Sequence, residues 1–168
     1  MIALYHTAVG LFLLLFSFVR LPFPTPGRGL LDLNVLFVLY LAFFRPVREG
    51  AAVACALGLA MDSLSAGPFG LHFVVYLFLF TIFRLAPRYL QVRNALFLAA
   101  ASAAAAVIGG AALALPALAA GARAGVPAAL AHRLLAGGLL AFVLGWPAIS
   151  GLRAGCDAIS AWQAARRA

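Results

Sequence analysis

Long apolar runs constrain this chain more than any other feature. Six of them follow one another, at about Ile2–Leu21, Leu30–Phe44, Ala51–Leu64, Phe69–Ala86, Asn94–Leu118 and Ala129–Leu152, separated by short connections rich in Arg, Pro or Gly. A helix crossing the hydrocarbon core needs about 20 apolar residues, and backbone in that medium must satisfy its own hydrogen bonds. Barrel strands would alternate apolar and polar at every second residue, and these runs do not alternate. With 66% hydrophobic and 10% charged residues, against about 25% charged in soluble domains, the chain is too apolar to cover itself with polar surface. The expectation is an all-α, polytopic membrane helical bundle of about six transmembrane helices. Residues 1–152 form the transmembrane unit, and 153–168 a short polar to amphipathic cytoplasmic tail in which Ile159, Trp162 and Arg166 share a face.

The first run could also be a secretion signal. No Arg or Lys precedes it, and it leads into Arg20-Leu21-Pro22-Phe23-Pro24 without a small-x-small cleavage site. It reads as a first span.

The net charge is +8, and all twelve basic residues are Arg. In a soluble protein this balance would raise nucleic acid as a partner. Here the arginines are scattered over short connections, so no nucleic-acid partner is expected. They suit orientation in the bilayer and attraction to anionic lipid head groups, worth about 1 kcal/mol per residue at the surface. If the N-terminus is cytoplasmic, Arg45, Arg48, Arg84, Arg88, Arg93, Arg153, Arg166 and Arg167 lie inside, against Arg20, Arg28, Arg123 and Arg133 outside. That bias predicts both termini inside.

Few residues offer chemistry. Asp62 shares a helix face with Ala54 and Gly58 at four-residue spacing, which suggests close helix packing with the acid turned inward. It could cap the turn from Ser63 to Gly70 through backbone N–H groups, or bind a proton or ligand. His72, expected on the same membrane side, could pair with Asp62. Asp32 and Asn34 open the second run; capping is one role for them, an ion pair with Arg20 or Arg28 another. Gly67-Pro68-Phe69-Gly70 reads as a tight turn. Arg45 to Gly50 reads as a charged turn, and Arg84 as part of a loop. Gly137, Ala141 and Gly145 make a small-residue ridge, as do Ala101 and Ala105; such ridges serve internal packing or a partner's span. Cys55 and Cys156 fit no disulfide or metal spacing. Three scattered histidines without a carboxylate cluster give no metal site. With four acids and no nucleophile–base set, no catalytic residue and no cofactor is expected.

The segment from Gly58 reads GLAMDSLSAGPFGLH, or G-x-x-x-D-x-x-x-x-x-P-x-G with His72 two residues later. Upstream, LLDLNVLFVLYLAFFRPVREGAAVACALG has an acid opening a short run, then an Arg-Pro turn and a Gly. The stretch from Leu31 to His72 resembles the rod shape-determining protein MreD family, whose length and span number also agree. The resemblance implies a fold similar to the S component of energy-coupling-factor transporters. It also implies a non-catalytic inner-membrane member of the cell-elongation complex, helping to position peptidoglycan synthesis. The implied partners are an MreC-like bitopic membrane protein and, indirectly, MreB, RodA and the elongation transpeptidase. By motif match Asp62, Pro68 and Gly70 carry the family signature, with Gly58 and Asp32 weaker matches, and their implied importance is structural. A solute-binding membrane subunit of an energy-coupling-factor type transporter is the competing expectation, motivated by the shared fold and the Asp62/His72 pair. A pore or a membrane enzyme stays open.

Overall fold

A computed structural model describes residues 32–65, 68–85, 94–119, 121 and 126–165. Among them are five α-helices: α1 (Leu33–Phe44), α2 (Val47–Leu64), α3 (Leu71–Leu85), α4 (Ala95–Ala119) and α5 (Val126–Ala165). The expected first span, Arg20, Arg28 and His6 lie outside the described residues.

The 12-residue α1 is apolar on every side, and all residues from Asn34 to Phe43 are buried. A helix without a polar face must be surrounded, and α1 is: α2, α3, α4 and α5 all pack against it. At about 1.5 Å per residue it is about 18 Å long, shorter than a bilayer core. It is the centre of the bundle, and the longer helices wall it in. α4 and α5 contain the two described stretches long and apolar enough to cross a membrane, Ala95–Pro116 and Ala129–Gly155. Their exposed faces are apolar, including Leu135, Leu139 and Val143 on α5 and Val74 and Phe78 on α3. In water such faces would be a liability; in lipid they are the outside of the fold.

Several expected boundaries move. The charged turn shrinks to Arg45 and Pro46, because α2 begins at Val47 and takes in Arg48 and Glu49. Pro46, at φ −56°, is already set for helix entry and gives up an N–H that would have had no partner. Arg84 is not in a loop. It sits in the last turn of α3, where its Nη1 donates to the Ala42 and Arg45 carbonyls, both at 2.9 Å. Those carbonyls are at the C-terminal end of α1, where helix acceptors lack partners and a cation suits the dipole. The expected sixth span runs through Leu152 without a break and ends at Ala165, a helix of 40 residues. The side chains of Ile159 and Trp162, like Arg166, lie outside the described residues.

The ridge on α5 packs inward. Gly137, Ala141 and Gly145 are buried, as are Ala101 and Ala105 of α4. Fully buried Ser102 explains the tightness. Its Oγ lies 2.6 Å from the Ala141 carbonyl across the interface and 2.7 Å from Ala99 of its own helix, so one hydroxyl proton serves two acceptors. A Cβ on Gly145 would overlap both Oγ and Cβ of Ser102. Gly145→Ala should therefore cost about 1–3 kcal/mol by overpacking. Combined with Ser102→Gly, which clears the space, the loss should fall below the sum of the single losses, as read by denaturant titration in detergent. Strict additivity would mean the two residues do not meet.

Candidate functional site

At one end of the bundle α1 begins, α2 ends and α3 begins. Two carboxylates are placed there, buried Asp62 and half-buried Asp32, each on a junction between helices.

Asp62 is in the last turn of α2 and 3% exposed. The stripe of Ala54, Gly58 and Asp62 faces inward as a unit, all three buried. Gly58 makes the approach of α3 close: a Cβ there would sit 2.6 Å from Phe73 Cα and 3.0 Å from Phe73 N. This contact brings the first turn of α3 onto the carboxylate. Asp62 Oδ1 accepts the His72 backbone N–H at 2.9 Å and Oδ2 accepts that of Phe73 at 3.0 Å. The first N–H groups of a helix have no partner within it. The residue ahead of α3 is Gly70, at φ +92°, which makes the turn but has no side chain to cap with. Asp62 supplies the cap from the preceding helix, where the positive end of the α3 dipole favours a negative charge. Asp62 thus caps the helix beyond the Ser63–Gly70 turn; residues 66 and 67, within the turn it was expected to cap, lie outside the described residues.

His72 adds a third donor to the same carboxylate, with Nδ1 2.9 Å from Asp62 Oδ1. A carboxylate can only accept, so Nδ1 carries the proton, and in the neutral ring Nε2 is then unprotonated. The ring lies edge-on to Tyr76 at 6.1 Å.

Asp32 does the corresponding work for α1. It is the N-cap, one residue ahead of the helix rather than in its first turn, and Oδ1 accepts the Asn34 N–H at 2.9 Å. Its Oδ2 accepts the hydroxyl of Tyr76, 2.9 Å away on α3. Tyr76 is fully buried, and nothing in the sequence reading singled it out. Its place four residues after His72, on the same helix face, is the signal that could have marked it. Asn34 is also fully buried; its Nδ2 donates to Met61 Sδ at 3.6 Å, and its Oδ1 has no hydrogen-bond partner. Pro68 and Phe69 are exposed in the turn.

The arrangement joins three helix ends through two carboxylates whose four oxygens are all occupied by donors of this chain. Neither carboxylate faces a nucleophile or the other acid within hydrogen-bond distance among the described residues. Among the described residues no three His, Cys, Asp or Glu gather where a metal could bind. Removing one strut tests the scheme: Tyr76→Phe should cost about 1–2 kcal/mol, because Asp32 keeps its capping bond but loses a buried hydroxyl. An unchanged unfolding midpoint would exclude the Tyr76–Asp32 bond as a support.

A family model described as rod shape-determining protein MreD matches residues 1–147. Neither a curated protein nor a solved structure matches the chain.

Proposed function

From the premise that this chain belongs to the MreD family of rod shape-determining proteins, we propose that it is a non-catalytic component of the bacterial cell-elongation complex in the inner membrane. In this reading it binds an MreC-like bitopic protein and, through it, helps position MreB, RodA, the elongation transpeptidase and with them peptidoglycan synthesis. The family match over residues 1–147 carries the proposal. The site supports it: Asp32 and Asp62 are engaged in helix capping, a role that builds a scaffold. Asp62, Pro68, Gly70, Gly58 and Asp32 then act as the structural signature of the fold.

The proposed topology has six spans, both termini in the cytoplasm and an architecture like the transporter S component. The membrane unit takes residues 1–152, and the end of α5 carries 153–168 into the cytoplasm. Arg45, Arg48, Arg84 and Arg153 at one end of the bundle, opposite the carboxylates, fit that orientation. The exposed apolar stripe of Leu135, Leu139 and Val143 is available to a partner's span, since lipid and side chain compete there on packing alone.

Co-purification in mild detergent tests the proposal. The full chain should bring down an MreC-like protein, and its depletion should turn rod-shaped cells round. Recovery of no wall-elongation component, with cell shape unchanged, would overturn it.

A further inference from the structure

The other end of the bundle, where α1 stops and α2 begins, gathers guanidinium groups from three helix termini and from the body of α5. Arg45 follows α1 directly, and its Nη2 is 3.5 Å from the Tyr40 hydroxyl. Arg84 is pinned on the Ala42 and Arg45 carbonyls. Arg153 of α5 lies over the ring of Phe44, the last residue of α1, with Cζ 5.2 Å from the centroid. Arg48 stands exposed in the first turn of α2. Arg48 and Arg153 are both exposed, and neither has a carboxylate partner among the described residues. The cation–π contact with Phe44 holds Arg153 in place without consuming an N–H donor, and a guanidinium fork with free donors is suited to a phosphate.

Depth identifies the ligand. Arg153 is two residues from the end of the apolar stretch Ala129–Gly155 on α5, which is 27 residues long. At about 1.5 Å per residue this is about 40 Å, the thickness of a bilayer with its head groups. The end of such a stretch is at the level of lipid phosphates.

We propose that Arg153, held over the Phe44 ring, forms with Arg48 and the adjoining Arg45 and Arg84 a binding site for the phosphodiester head group of an anionic phospholipid. The proposal rests on the chain being embedded in a bilayer. Partition of the chain into the soluble fraction after cell lysis would defeat that premise, whereas the test below is performed on protein already in a bilayer.

The test is native mass spectrometry of the full chain released from nanodiscs holding equal amounts of phosphatidylglycerol and phosphatidylcholine. The wild type should retain phosphatidylglycerol preferentially. Each of Arg48→Gln and Arg153→Gln should lower that preference about five-fold, near the effect of one surface charge. Arg153→Lys should lose part of it despite the conserved charge, because an ammonium lacks the planar fork that takes a phosphate. Arg133→Gln, near the other end of the apolar stretch of α5, should lower it clearly less, as a single surface charge outside the cluster. Circular dichroism of each variant separates a lost site from a lost fold. Three outcomes would overturn the proposal: no preference in the wild type, an equal loss in Arg133→Gln, or displacement of the lipid by millimolar inorganic phosphate, which would assign the site to a soluble anion.

Discussion

Asp62→Ala is expected to destabilise the protein by about 3–5 kcal/mol, close to the whole stability of many domains. The substitution removes three hydrogen bonds at once. More costly, it leaves the His72 and Phe73 N–H groups without an acceptor at a half-buried helix start, and Gly70 cannot replace the lost cap. Asp62→Asn keeps one acceptor oxygen and should lose less, about 1–3 kcal/mol. His72→Ala removes only the ring donor and should cost about 1 kcal/mol. Unfolding in a detergent–denaturant titration, with abundance in the membrane fraction as a second readout, gives the order. If His72→Ala proves as damaging as Asp62→Ala, the ring pairing and not the helix cap is what Asp62 is for.

The second large effect is expected at Gly58. A Cβ there meets backbone: Phe73 Cα at 2.6 Å, Phe73 N at 3.0 Å and the His72 carbonyl at 3.2 Å. A side chain could swing aside, but backbone can yield only if α3 moves as a body. Gly58→Ala should cost about 2–3 kcal/mol, and Gly58→Val more. Moving α3 outward also draws the His72 and Phe73 N–H groups away from Asp62, so the two sites are coupled. The Gly58→Ala, Asp62→Ala double variant should therefore lose clearly less than the sum of the singles, by about 1 kcal/mol or more. Gly151 is the control: a Cβ there meets nothing within 4 Å, so Gly151→Ala should be neutral or stabilising through helix propensity, by up to about 1 kcal/mol. Additive losses at Gly58 and Asp62 would refute a shared mechanism.

These two residues mark how far sequence reasoning reached. The interval from Gly58 to Asp62 is one helical turn, and periodicity alone puts them on one face. What that face meets is His72 and Phe73, ten and more residues later on another helix. The helix stop before Pro46 and the turn at Gly70 were visible because Pro and Gly restrict or free the backbone wherever they stand. Arg84 was misplaced for a related reason. A charged residue after an apolar run signals a loop only if it lacks a buried partner, and its partners are carbonyls at the end of α1, 39 and 42 residues away.

Local chemistry in the chain was enough to specify a helical, lipid-soluble protein, the order of its apolar segments and the glycine–aspartate–proline signature between two of them. Each of these follows from the residues themselves or from neighbours within a turn or two. Tertiary structure alone decided that the shortest apolar helix is the core, that Tyr76 holds Asp32 from 44 residues away, and that the α5 ridge closes on Ser102. Apolar helices rich in Ala and Leu present nearly the same surface in every direction, so pattern cannot choose which faces meet. Packing chooses, through the few places where a missing Cβ or a buried hydrogen bond fits one neighbour and no other.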